Sequence, residues 1–348
     1  MSQNKELTFK RLSELWDSTE IPVIDTIGAK YFIFSDAHLG DGGEADDFHE
    51  NQETLETALD FYKKNDYKLI LLGDIEELWQ FDLNEIVTRY DENIYKNIRD
   101  FKDINVYRVF GNHDIDWRTL LDPTKNVKPK LLCATEALKI NDSNKNTRIL
   151  AVHGHQGSTE SELFIWSSRY WVRLYKFVEP VLKWFGIARP PEAPKSRILD
   201  DYEKIFYSWA KENKVIVICG HSHRAMFASK SFAERLAEKI NKLKKRISKY
   251  HEDKQVVKEL KKEIRDLREE KREERRKKRA VKSIDPEISA LPCYFNTGCC
   301  IYGSGITGIE IADGKIRLVK WERDRRKEPR PRIYEGGDLG SYILEITK

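Results

Sequence analysis

The stretch KLILLGDIEELW (68–79) decides how this chain is read. Its opening run, Lys68–Leu72, is mostly apolar, too short for a helix and without helical periodicity, so it reads as a buried strand. A glycine and a group of acids follow at once, which places polar chemistry at the strand's carboxyl end. The same arrangement recurs at Tyr31–Phe34, Val106–Phe110, Ile149–Val152 and Val215–Cys219. Helix-like pieces lie between, such as Thr54–Lys64 with Leu55, Leu59 and Tyr62 at i, i+4 and i+7. Alternation of strand and helix predicts an α/β sandwich. Later, Gly308–Ile311 and Ile316–Trp321 flank Asp313-Gly314, a hairpin signal, so antiparallel strands join the sheet near the end.

Each strand end carries a polar cluster: SDAHLG (35–40), LGDIEELW (72–79), FGNHD (110–114), VHGHQ (152–156) and CGHSH (219–223). In open α/β sheets a ligand site gathers at the carboxyl ends of strands. Six of the eight histidines fall in these clusters, His38, His113, His153, His155, His221 and His223, together with Asp36, Asp74 and Asn112. Any one of them has a plain structural explanation, since a lone histidine is usually hydrogen-bonded surface and a lone aspartate caps a helix. Five such clusters in one chain do not. Mixed oxygen and nitrogen donors suit Mn, Fe, Zn or related ions, and the absence of a thiolate argues against a structural zinc.

The five motifs DxH, GDxxE, GNHD, HGH and GHxH, in this order, resemble those of the calcineurin-like metallophosphoesterases, over roughly residues 30 to 324. The resemblance implies a sandwich of two mixed β-sheets flanked by helices and a centre of two divalent metal ions, Mn2+ foremost, with Fe, Zn or Ni as other candidates. Asp36, His38 and His223 would hold one metal, Asn112, His153 and His221 the other, and Asp74 would bridge them. His155 is left open between a ligand role and a supporting one. The implied reaction is in-line attack on a phosphoester by a hydroxide bridging the metals, with the ions clamping attacking and leaving oxygens. His113 would serve the leaving oxygen as a catalytic acid with Asp114 orienting it, and Asn112 and His113 would also contact substrate.

GNHD in place of GNHE, and GDxxE without a following Arg-Gly, tell against protein phosphatases. The form GDIEELW, with Glu77 and Trp79, is similar to UDP-2,3-diacylglucosamine pyrophosphatases, which also carry a helical insertion between HGH and GHxH. Here that region (158–197) is rich in aromatic residues interleaved with Arg169, Arg173, Lys176 and Lys183, suited to an apolar tail under an anionic head or to contact with anionic lipid. Lys195 and Arg197 are candidate phosphate contacts. Two features depart from that subgroup: His113 follows Asn112 where that subgroup typically shows Arg, and a second insertion follows residue 230.

That second insertion is charged. Between Ala233 and Ala280 there are 20 Lys and Arg against 11 Asp and Glu, a surplus of nine, which leaves 42 against 47 in the rest. The net charge of +4 therefore belongs to one segment. Leu236, Ile240, Leu243 and Ile247, then Val257, Leu260, Ile264 and Leu267, follow coiled-coil steps with a break of phase between. One unbroken helix would carry the chain about 70 Å at 1.5 Å per residue. The eleven residues Val281 to Leu291 could recover only about 40 Å. An antiparallel hairpin turning near His251–Lys254 is the expectation. It offers a protein partner, a homodimer or, as an alternative, a grip on nucleic acid in a nuclease or other phosphodiesterase.

The domain reading is an N-terminal helical extension (1–28), a metallophosphoesterase domain (29–324) interrupted by a lid (158–197) and the hairpin (231–284), and a C-terminal tail (325–348). Five cysteines at irregular spacing read as reduced thiols. The start lacks the apolar core of a signal peptide, and no apolar run approaches the roughly 18 residues of a membrane span. The expected location is cytoplasmic, with peripheral contact at the inner membrane face through the lid. The expected substrate is a phosphodiester or pyrophosphate, such as a nucleotide-linked lipid.

Overall fold

The computed structural model describes residues 2–101, 105–118, 134–157, 193–249, 254–276, 290–324 and 327–348. The expected lid (158–197) lies outside them as far as residue 192, and residues 250–253, where the turn is expected, and Cys133 also lie outside.

Four parallel strands form half of one sheet: β2 (Lys30–Phe34), β3 (Tyr67–Leu72), β4 (Val106–Val109) and β5 (Ala134–Thr135). On the free side of β2 the sheet continues antiparallel through β12 (Gly305–Ala312), β13 (Lys315–Asp324) and β14 (Lys327–Asp338). The β12–β13 hairpin turns at Asp313 (φ 53°) and Gly314 (φ 72°), both left-handed, as a two-residue turn of the twist-matched type requires. The second sheet holds β1 (Val23–Asp25), β6 (Ala137–Asn141), β7 (Thr147–Val152), β8 (Ile216–Cys219), β11 (Tyr294–Asn296), β9 (Met226–Phe227) and β10 (Lys230–Ser231), in that spatial order.

Strand alternation explains the continuous apolar runs. Ile70 and Leu72 of β3 point into a core shared with Leu150, Val217 and Ile218 of the other sheet. Leu69 and Leu71 point the opposite way, onto Leu55, Leu59 and Tyr62 of helix α2 (Gln52–Lys64). Both faces of Leu69–Leu72 are covered, so no polar residue interrupts that run. The result is two mixed sheets face to face with helices outside. Helices α3 (Leu83–Tyr90) and α4 (Lys96–Arg99) complete the layer over β3 and β4.

Both chain ends belong to this body. Helix α1 (Ser2–Asp17) buries Leu12 and Leu15 in the main core and packs on α5 (Ala193–Asn213). Trp209 of α5 meets Trp16 edge-on at 6.3 Å and donates its indole N–H to Ser13 Oγ at 3.0 Å. The C-terminal residues form β14 and helix α8 (Leu339–Thr347), so they do not trail from the domain as the sequence boundaries had them. Pro329 and Pro331 read against a strand there, yet β14 is an edge strand, where a missing N–H faces outward without loss.

Helices α6 (Phe232–Lys249) and α7 (Lys254–Arg276) pack on one another. Four intervening residues span too little for a parallel return, so the two run antiparallel. Leu236, Ile240 and Leu243 are buried against Leu260, Ile264 and Leu267, with Ile247 and Val256 at the margin. Val256 takes the place that sequence spacing assigned to Val257. Among the described residues no helix is long and apolar enough to cross a membrane. The described cysteines, Cys219, Cys293, Cys299 and Cys300, are free and buried.

Leu339, Ile343 and Ile346 place α8 in the main core. Ile343→Ala should therefore lower stability by about 2–5 kcal/mol, read as a lower urea midpoint at unchanged m. A midpoint equal to wild type would return the segment to the status of a tail.

Candidate metal centre

The loops after β2, β3 and β4 meet those after β7 and β8 along one edge of the sandwich. Asp36 and His38 follow β2, Asp74 follows β3, Asn112 and His113 follow β4, His153 follows β7, and His221 and His223 follow β8. Asp36 (φ 53°), His38 (48°), Asp74 (51°), His221 (66°) and His223 (57°) all have left-handed backbones. Such a conformation costs about 1–3 kcal/mol at a non-glycine residue. The chain accepts it five times here because each loop must turn at once to aim a side chain inward. Backbone bonds hold the turns side by side: Asp36 N–H to Gly73 O (3.1 Å), His38 N–H to Asp74 O (3.0 Å) and Gly220 N–H to His153 O (2.8 Å).

Two groups of donor atoms result. Asp36, His38 and His223 form one, and Asp74, His153 and His221 the other. Within the first, His223 Nε2 lies 3.1 Å from Asp36 Oδ1 and 3.2 Å from His38 Nε2. Asp74 Oδ2 lies 2.9 Å from His153 Nε2 and 4.0 Å from His38 Nε2, so its carboxylate stands between the groups. The backbone N–H groups of His113 and His221 donate to Asp74 Oδ1 (2.8 Å) and Asp36 Oδ2 (2.9 Å), and Ser35 donates to Asp36. Asn296 Nδ2 holds Gly220 O at 2.6 Å and Glu203 accepts from Ser222 at 2.6 Å, which pins the His221–His223 loop from behind.

Glycine makes the close approach. A Cβ on Gly111 would lie 2.1 Å from Asp74 Oδ1, and one on Gly220 would lie 2.2 Å from Ser35 Oγ and 2.5 Å from Asp36 Oδ2. No side chain fits at either position.

The residues fit divalent cations on three counts. His153 Nε2 and Asp74 Oδ2 approach closely without hydrogen-bond alignment, as two lone pairs do when they converge on one ion. Asn112 Oδ1 is buried and accepts no hydrogen bond, an arrangement that is costly unless a cation takes its lone pair. Electrostatics point the same way. Burial opposes charge on His38 and His153, yet Glu77, Asp74 and Asp36 raise them to about 10 and about 9, so the site demands positive charge. Burial and His153 push His221 down to about 3, which leaves a neutral ring with a free lone pair.

The structure revises the support of His113. Both oxygens of Asp114 are taken by backbone N–H groups, of Gly111 at 2.6 Å and Ile75 at 2.9 Å, so Asp114 staples two loops and does not orient the ring. Glu77 does that. Its Oε1 lies 2.8 Å from His113 Nδ1, and its Oε2 lies 2.7 Å from His38 Nδ1. Burial alone would raise Glu77, but His113 and His38 hold it down to about 2. Trp79 stacks on His113 at 4.0 Å and 17°, and its indole N–H donates to Asn112 O at 2.9 Å. Behind them Arg108 forks onto Glu76 at 2.7 and 2.9 Å, with Trp117 and Tyr95 donating to the same carboxylate.

His155 is buried with its ring 5.6 Å from that of His153, and it joins neither donor group. Lys195 and Arg197 fall in the first turns of α5, where only the backbone is described.

The model for calcineurin-like phosphoesterases matches residues 29–225, more than half of the chain. This chain belongs to the calcineurin-like phosphoesterase family. The donor groups of this phosphoesterase accord with the two divalent ions that the family typically binds. No curated protein matches it. Among solved structures it is similar to Vacuolar Protein Sorting 29 from Cryptosporidium parvum, at 9% identity and a TM-score of 0.33, over 89% of this chain and 98% of that one. Likeness at that level bears no weight.

Gly111→Ala in this phosphoesterase should lose most of its bound metal by elemental analysis while its circular dichroism stays native. A full metal complement would show that the close approach of Gly111 to Asp74 is dispensable.

Proposed function

We propose that this protein hydrolyses a phosphodiester or pyrophosphate bond. The observation that carries the reading is the Glu77 carboxylate shared between His38 and His113. One buried anion thereby couples a residue of the metal centre to a residue able to move a proton. Two divalent ions held by Asp36, His38, His223, Asp74, Asn112, His153 and His221 would supply Lewis acidity and lower the pKa of water. Glu77 accepts from His113 Nδ1–H, so the ring presents Nε2 to substrate, and Trp79 stacking restricts its rotation. From Nε2 the proton passes to the departing oxygen as the P–O bond breaks.

The finer reading is a pyrophosphatase of the UDP-2,3-diacylglucosamine type, supported by the GDxxExW form and by Trp79 lying against His113. In it the aromatic lid takes an apolar tail, Lys195 and Arg197 contact phosphate, Mn2+ is the first candidate metal, and the protein works in the cytoplasm at the inner membrane face. A second reading, a nuclease or other phosphodiesterase, is favoured by the exposed cations of α7.

A substrate panel with added Mn2+ separates them: bis-p-nitrophenyl phosphate, a UDP-linked lipid, and single- and double-stranded DNA. Asp74→Asn should deplete metal and abolish turnover on all of them. His113→Ala should keep its metal and slow turnover roughly 10²–10⁴-fold. An Asp74→Asn protein with normal metal and normal turnover would overturn the assignment.

A further inference from the structure

Helix α7 carries three stripes. Val256, Leu260, Ile264 and Leu267 face α6. Glu259, Glu263 and Asp266 follow one flank of that seam. The other flank holds Lys254, Lys258, Lys261, Arg265, Arg268 and Arg272, at steps of 4, 3, 4, 3 and 4. Signs that alternate along the chain are thus separated around the helix.

In an antiparallel pair like flanks meet across the seam. Lys239 and Arg246 of α6 then share a flank with Glu259, Glu263 and Asp266, so that flank carries both signs. Lys244 shares the other flank with Lys261 and Arg268. The second side of the arm presents Lys244 and the six cations of α7, with Glu269 at its margin. All seven are exposed, and none is engaged in an ion pair among the described residues. A groove along this helix is lined by five cations, Lys254, Lys258, Lys261, Lys262 and Arg265, against one acid, Glu259. A solubilising helix face places opposite charges at i and i+4, where they attract. Here Lys254–Lys258, Lys261–Arg265 and Arg268–Arg272 set like charges at that spacing, and Glu269, four residues after Arg265, is the exception.

We infer that the basic face of the α6–α7 arm is a docking surface for a nucleic-acid backbone. The cations run for about 27 Å at 1.5 Å per residue, a length that meets several consecutive phosphates. Helices that lie on a bilayer expose an apolar face. Here the apolar stripe is sealed in the hairpin, and the large exposed hydrophobics of the described residues all lie elsewhere. The arm leaves the body nine residues after His223, so a strand held on it starts close to the metal centre in the chain. The inference goes beyond the phosphoester reading and stands without it, since binding is measured apart from turnover.

The test is fluorescence anisotropy of the full chain with a short labelled DNA duplex and a single-stranded RNA, over a salt series, with strand integrity checked on a gel. Wild type should bind with a steep salt dependence. The quadruple variant Lys258→Gln, Lys261→Gln, Arg265→Gln, Arg268→Gln should bind on the order of 10-fold or more weaker, and its log–log salt slope should fall by about 3. Lys239→Gln with Arg246→Gln, on the flank that carries both signs, should bind as wild type. Hydrolysis of bis-p-nitrophenyl phosphate by the quadruple variant reports that the body is intact, and a chain inactive from the start leaves the binding result standing. Absent binding at low salt, equal binding by the quadruple variant, or preference for phosphatidylglycerol vesicles over nucleic acid would each overturn the inference.

Discussion

Three carboxylates, Asp36, Asp74 and Glu77, are buried at one edge of the sandwich among five histidines, and the rest of the molecule is arranged around that concentration of charge. A carboxylate taken from water is penalised by several kcal/mol unless hydrogen bonds and positive charge replace its solvation. Each of the three has such replacements: Ser35 and the His221 N–H on Asp36, the His113 N–H on Asp74, two imidazoles on Glu77. What backbone and histidines leave uncompensated is a demand for cations.

Meeting that demand needs donors from both sheets at once, and the supporting structure follows from it. Loops from β2, β3 and β4 must reach loops from β7 and β8, so the sheets pack face to face with their carboxyl ends on one side. Five left-handed residues and two glycines without room for a side chain are the local consequences. The Arg108–Glu76 pair behind the site belongs to the same logic. A buried ion pair adds little net stability, but with Trp117 and Tyr95 also on Glu76 it fixes the β3 and β4 loops against each other. Position, more than stability, is what that pair contributes.

The arm obeys a different constraint. Among the described residues its apolar stripe is six buried side chains with Ile247 and Val256 at the margin, and these zip the two helices together. What the arm exposes is charge, and the charge is sorted onto faces.

The sequence by itself determined the strand ends and the candidate donor residues gathered there, because apolar runs and a fixed order of Asp, Asn and His motifs are local patterns. It also determined that the charged insertion must double back, which is a matter of chain length. Tertiary structure alone decided that Glu77 and not Asp114 holds His113: Asp114 is nearer in sequence, but backbone N–H groups at Gly111 and Ile75 capture it first. It alone drew α1, β14 and α8 into the domain, since their signals are short or broken by proline and gain meaning only when the edge strand and core they complete exist. It also decided which cations stand together, because a helix sorts residues by angle, and angle becomes a face only once the seam is known.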